Sequence, residues 1–170
     1  MASRYWVGGT ASWDGTAGTK WATTSGGAGG SAEPTSSDDV FFDANSGSVT
    51  VTVTGALRVC LALNTTGFTG TFTSSGTIIA SGGITLGAGM TWSGPGLRLS
   101  GTANRDINTN GHTISSFNNT ASSGTITLQS NLTVSGSYSA NGGTTTTDFN
   151  GYNVQIGTLD ASASTPTLNL

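Results

Sequence analysis

The chain has 170 residues, which suits one domain and is long enough to bury a core. Its 31 Thr, 23 Ser and 27 Gly make up 81 of those residues, and only 8% are charged, against roughly 25% in an ordinary globular domain. The net charge is -3 and the five cations, Arg4, Lys20, Arg58, Arg98 and Arg105, stop at Arg105, which excludes the basic groove that a nucleic-acid backbone requires.

Disorder is the weaker reading of this composition. It needs low hydrophobicity with high net charge, whereas 34% of the chain is hydrophobic and much of that is β-branched or aromatic. Thr and Val suit a pleated surface because branching at Cβ stiffens the side chain, and Gly and Asn supply turns. No apolar run approaches the ~20 residues of a membrane span. The opening MASRYWVGG lacks a basic segment followed by an apolar one, so no secretory signal is expected. Cys60 stands alone in LRVCLAL, at an apolar position, and reads as a small buried hydrophobe.

In chain order, Tyr5-Trp6-Val7 is a short strand closed by Gly8-Gly9. Trp13-Asp14-Gly15 is a turn, because Asp-Gly favours tight reversals. Lys20-Trp21-Ala22 is a second strand, and Gly26–Gly30 a loop with almost no side chain to pack. Glu33-Pro34 opens an extended segment. It leads through Asp38-Asp39 to Val40-Phe41-Phe42 and a turn at Asp43–Gly47. From Ser48 the pattern changes. Val49, Val51 and Val53 alternate with Thr, and Leu57, Val59, Leu61 and Leu63 alternate similarly, each predicting one apolar strand face. Short strands are then expected at 68–72, 77–80, 84–86, 90–92, 97–99, 106–108, 113–117, 125–128, 132–134, 149, 153–156 and 167–170. No window carries a helix period, since Gly or a β-branched residue interrupts each one.

The strands recur. Leu86, Ile107, Leu128, Phe149 and Leu170 are each 21 residues apart, and Trp92, Ile114, Val134 and Ile156 follow at steps of 22, 20 and 22. The phrase Asp106-Ile-Asn-Thr-Asn-Gly111-His112-Thr-Ile114 resembles Asp148-Phe-Asn-Gly151-Tyr-Asn-Val154, with glycines 40 residues apart. A step near 21 predicts an all-β chain wound as a parallel β-helix, or solenoid, whose coils stack like residues into internal ladders. An antiparallel β-sandwich or jelly roll is the competing architecture. In the solenoid reading, residues 1–47 form an N-terminal capping or docking module and residues 48–170 the body. Trp6, Trp13, Trp21, Phe41 and Phe42 would cover the first coil, because an open coil end exposes unpaired backbone and an apolar cross-section. The chain stops inside the apparent strand Thr167–Leu170, so continuation of the polypeptide, or cover by another subunit, is expected there.

The stretch YWVGGTASWDGT…KWATTSGGAGG…PTSSDDVFFDANSG resembles the opening of large β-solenoid surface proteins. These are the structural proteins of tailed bacteriophages (fibres, spikes, capsid decorations) and bacterial autotransporter adhesins. The likeness is close for about a quarter of the chain and afterwards one of style. It implies a non-enzymatic structural protein on a virion surface, partnered by other capsid or tail proteins, with a host-surface glycan as a further partner; a homo-oligomer, such as a trimer, would cover the solenoid faces. The alternative is a fragment of an adhesin at a bacterial surface, or a glycan-binding spike. The lack of a secretory signal favours the phage side.

Asp38, Asp39 and Asp43 could offer oxygens to a hard cation, but turn formation ahead of Val40–Phe42 is the stronger reading. Asp106 and Asp148 are two coils apart, ~10 Å at roughly 4.8 Å per coil; that separation does not exclude an inverting carboxylate pair, but two copies of one turn phrase is the stronger reading. His112 is the single histidine and reads as a turn-proximal outward residue. Gly26–Gly30 lacks the Lys-Ser/Thr of a phosphate loop. No catalytic residue, metal or cofactor is therefore expected.

Overall fold

Short apolar-and-Thr runs separated by Gly, Asn and Asp cannot bury a face within one hairpin, and here they do so by winding. The protein, a computed structural model, is described for residues 1–161 apart from 56 and 75, and for the backbone of 167–169. It is a parallel β-solenoid of about 6 turns with a spacing of ~21 residues. The sandwich alternative is thereby set aside.

The first coil holds β1 (Ser3–Trp6) and β2 (Ala11–Trp13), with β3 (Trp21–Ala22) folded back beside β1. The next coil is β4 (Asp39–Phe41), β5 (Thr50–Val53) and β6 (Leu57–Cys60); then β7 (Leu63–Asn64), β8 (Thr71–Ser74) and β9 (Thr77–Ala80); then β10 (Ile84–Thr85), β11 (Thr91–Ser93) and β12 (Gly96–Leu99). There follow β13 (Arg105–Asn108), β14 (Thr113–Ile114) and β15 (Phe117–Asn119), and then β16 (Ser123–Leu128) with the long β17 (Leu132–Ala140). Last come β18 (Thr144–Asp148), β19 (Val154–Asp160) and β20 (Thr167–Asn169). Sheet A stacks β3-β1-β4-β7-β10-β13-β16-β18-β20, sheet B β2-β5-β8-β11, and sheet C β6-β9-β12-β15-β17-β14 with β19 added to β17. Among the described residues every strand pairing is parallel except that of β1 with β3. From β17 onward one strand serves two faces, with a register shift between Val134 and Ser137.

The register confirms part of the expected ladders and corrects the rest. Ile107 stacks on Leu128, and Ile114, Val134 and Ile156 form one row. Leu86 is displaced: Ile84, not Leu86, lies beside Ile107, because the bend between β12 and β13 lengthens that coil. Phe149 packs partly buried against the core, and Leu170 lies outside the described residues. The expected Leu57–Leu63 face is also corrected. The chain turns after β6, so Cys60 points inward at 1% exposure while Leu57 and Val59 point out, 45% and 36% exposed.

The Thr, Ser and Asn content has a second cause beyond strand preference. Hydroxyls and amides link each coil to the one before it. Thr52 Oγ1 lies 3.1 Å from Thr73 Oγ1, Ser115 Oγ donates to the Gly94 carbonyl at 2.8 Å, and Thr120 Oγ1 donates to the Leu99 carbonyl at 2.8 Å, all across 21 residues. The repeated Asn-Gly phrase is a corner of the same kind. Asn110 and Asn150 adopt φ 48° and 49° and their following glycines 81° and 76°, left-handed values that Asn and Gly tolerate. Their Nδ2 groups donate to Leu86 and Leu128 carbonyls of the preceding coil.

Candidate functional site

Two regions concentrate unusual side chains: the lumen at the N-terminal end and the outer face of sheet C. At the first, alternation along β1, β2 and β3 turns Trp6, Trp13 and Trp21 inward, and Phe42 follows β4 into the same space; all four are at most 1% exposed. Phe42 touches five rings, at 5.5 Å from Trp6, 6.0 Å from Trp13, 5.8 Å from Trp21, 5.7 Å from Phe68 and 4.7 Å from Phe72. Trp21 meets both other tryptophans edge-on, at 5.1 and 5.3 Å, the geometry that the ring quadrupole favours. Trp6 Nε1 donates to the Gly9 carbonyl at 3.0 Å, whereas the Trp13 and Trp21 N–H groups are buried without an acceptor among the described residues.

Phe41 differs from the rest of its group. It faces outward and stacks on Tyr5 at 4.7 Å and 15°. Of the five aromatics read from the sequence, four therefore fill the first coil, and Phe41 alone offers a surface. Around the rim Lys20 pairs with Asp14 at 2.6 Å and Arg58 with Glu33 at 3.2 Å. The Lys20 ammonium, with the Thr16 hydroxyl and N–H, holds the Asp14 carboxyl well below its ordinary value.

Two of the three candidate cation ligands, Asp38 and Asp43, are turn-makers in the structure. Asp38 accepts from Ala2 N at 3.0 Å, Thr35 N at 3.1 Å and Thr35 Oγ1 at 2.9 Å. Burial works to raise its pKa, but these bonds and the nearby Arg4 charge prevail and lower it. Asp43 caps the one-turn 3₁₀ helix Ala44–Ser46, accepting from Asn45 N while Ser46 Oγ returns to Asp43 N. Asp39 opens β4. Among the described residues no group of three His, Cys, Asp or Glu is placed to share a metal ion.

Asp106 and Asp148 do share one outward ladder, separated by Thr127. Their turn roles differ from the expectation: Asp148 accepts from Asn150 N, but in the earlier coil it is Asn108, not Asp106, that accepts from Asn110 N. His112 is less exposed than expected, because Nε2 lies 2.9 Å from the Gly87 carbonyl and so carries the proton. Cys60 is buried as read, and burial pushes its thiol up to about 12, with the Asp39 charge adding to the shift. Among the described residues no helix is long and apolar enough to cross a membrane.

The second region was not apparent from the sequence. Leu97, Phe117 and Tyr138 point inward, so the residues flanking them point out. Two outward rows result: Thr77, Gly96, Ser116 and Ser137, and beside it Ile79, Arg98, Asn118, Ser139 and Asp160. Gly96 is buried in the first row with no room for a side chain, since a Cβ would lie 2.5 Å from Ser116 Oγ and 3.3 Å from Thr77 Oγ1. A groove of about 240 Å³ opens over these rows, with Leu57 at one end. Arg98 Nε donates to Thr120 Oγ1 at 2.9 Å, and its terminal nitrogens have no partner among the described residues. Asn118 Oδ1 is buried without a donor. The available signal was the spacing of outward positions, which repeats at the same step as the core ladder.

Tested against protein-family models, curated proteins and solved structures, the chain matches none.

Proposed function

We propose that the chain is a non-enzymatic structural component of a bacteriophage virion, a capsid decoration or a part of a tail fibre or spike. Its solenoid body is attached through the N-terminal module. The observation that carries this reading is the polarity of the stack. One end is sealed by Trp6, Trp13, Trp21 and Phe42, and beyond it the hydrogen-bonding side chains are spent largely on joining coil to coil. That construction gives a stack of mutually bonded coils with few charges, which suits an object that must project and endure.

Attachment is assigned to the outer rim of the sealed end, where Tyr5 and Phe41 form an outward aromatic pair. Aromatic side chains are favoured in interfaces, and this pair can be changed without opening the core. A mass-spectrometric inventory of particles from cells carrying the gene tests the reading: the chain is expected among the virion proteins in fixed copy number. Its recovery only from bacterial surfaces would overturn the proposal and favour an adhesin. Phe41→Ser is expected to lower incorporation while leaving the thermal transition nearly unchanged; undiminished incorporation would move the docking site elsewhere.

A further inference from the structure

We propose that the groove on the outer face of sheet C binds an acidic sugar, a hexuronic acid residue within a polysaccharide. This goes beyond the virion reading and does not depend on it.

Three features select that ligand. The first is charge. Arg98 is the single charged group lining the groove. Its Nε is held by Thr120, which fixes the plane of the guanidinium and leaves both terminal nitrogens free. A free planar fork matches a carboxylate with two parallel hydrogen bonds, a fit that Lys does not offer. The acid on the same ladder, Asp160, is three rungs away, about 14 Å at the inter-strand spacing, and Arg98 takes no part in the ion pairs of the described residues.

The second feature is hydroxyl chemistry. Ser116, Ser137, Ser139 and Thr77 present donors and acceptors at the groove. Asn118 lines it too, and its carbonyl oxygen is buried with no donor. A sugar hydroxyl is the kind of donor that this oxygen lacks. A bare anion would leave this row unused, and a neutral sugar would leave Arg98 unused. The third feature is room. The volume of about 240 Å³ is below the ~300–1,000 Å³ of drug-sized pockets and suits one or two sugar rings. Leu57, 45% exposed at the end of the groove, offers an apolar surface to the ring's C–H face.

The test is an NMR titration of the whole chain with trigalacturonate, maltotriose and acetate, following the Arg98 Nε–H and Asn118 side-chain amide signals. Trigalacturonate is expected to shift both signals with a dissociation constant of about a millimolar or tighter. Maltotriose and acetate should bind at least about tenfold more weakly. Arg98→Gln should weaken trigalacturonate by about tenfold or more. Ser137→Ile, which exchanges an exposed lining hydroxyl for a bulkier strand-favouring side chain, should do the same by filling the groove, and thermal unfolding confirms that both variants fold. No shift at Arg98 and Asn118, equal binding of maltotriose or acetate, or indifference to both substitutions would each overturn the assignment. Presence in virions without these shifts would defeat this proposal alone; these shifts in a chain absent from virions would defeat the attachment reading alone.

Discussion

The two ends of the solenoid are built from the same coil but finished differently. At the N-terminal end six large rings, Trp6, Trp13, Trp21, Phe42, Phe68 and Phe72, fill the lumen at most 1% exposed, and β3 runs backwards along β1 to complete that edge. Toward the other end the lumen turns polar. Asn119 Nδ2 donates to Thr145 Oγ1 at 3.0 Å, and the Tyr138 hydroxyl lies 3.4 Å from Thr147 Oγ1. On β19 the inward positions Val154 and Ile156 are only partly buried, and Leu159, stacked on Tyr138, is 52% exposed. In a repeat stack each coil is stabilised by its neighbours. A coil closed by aromatic bulk needs no further neighbour, whereas a coil lined with Thr and Asn depends on one. Stability should therefore fall from the sealed end toward β19.

The largest expected effect breaks the seal. Phe42→Ala removes the ring that touches five others and leaves a cavity that rigid β-structure cannot close. A loss of about 3–5 kcal/mol is expected, read as a lower urea midpoint with loss of near-ultraviolet tryptophan dichroism. A loss under about 1 kcal/mol would show that the aromatic cluster covers the end without holding it together.

An intermediate effect is expected in mid-stack. Arg105 points inward on β13 at 4% exposure, and its guanidinium donates to the Ser100 and Ala103 carbonyls that shape the bend before it. Burial lowers its pKa. Arg105→Met keeps the length and leaves those carbonyls unpaired, costing about 1–3 kcal/mol, measurable by chemical unfolding. An unchanged midpoint would mean that water replaces the guanidinium there.

Acid sharpens the comparison further, because it acts on the sealed end. The folded pKa of Asp38 is depressed. Its contribution is therefore fully present above the unfolded value of about 3.9 and is lost as pH falls through the folded one. The bonds at stake tie Asp38 to Ala2 and Thr35. Asp38→Asn should lower stability at neutral pH and flatten its decline below about pH 4, followed by thermal melts across pH. A decline as steep as that of the unsubstituted chain would assign the acid sensitivity to another carboxylate.

How far these features were legible in the sequence follows from what each depends on. Trp6, Trp13, Trp21 and Phe42 could be placed because rings of that size have few positions in a coil of small residues. Phe41 could not be separated from Phe42 without knowing which of the two the strand turns inward. The rows through Ile107–Leu128 and Ile114–Val134–Ile156 could be read because their coils keep an even step. Leu86 was misplaced because the bend at Gly101–Asn104, held by Arg105, adds length that periodicity does not show. Leu57 and Val59 were read as inward because four alternating apolar residues look like one strand, whereas the chain turns a corner after Cys60. The groove was hidden for another reason. Arg98, Asn118 and Ser139 are unremarkable singly, and they meet only when outward rows are stacked in the same register as the core.

The smallest expected effect tests the other end of the gradient. Leu159→Ser replaces a large apolar side chain at a luminal position, a change that costs several kcal/mol where packing is complete. Here the side chain is already 52% exposed, so little apolar surface returns to water on truncation and no cavity forms. A change within about 0.5 kcal/mol is expected. Amide hydrogen exchange should agree with it, with β19 exchanging faster than β4 and β7, because among the described residues β19 pairs with β17 alone. If Leu159→Ser instead costs as much as Phe42→Ala, the two ends are equally consolidated. The gradient would then be discarded, and the aromatic cluster would have to be explained by docking and not by closure.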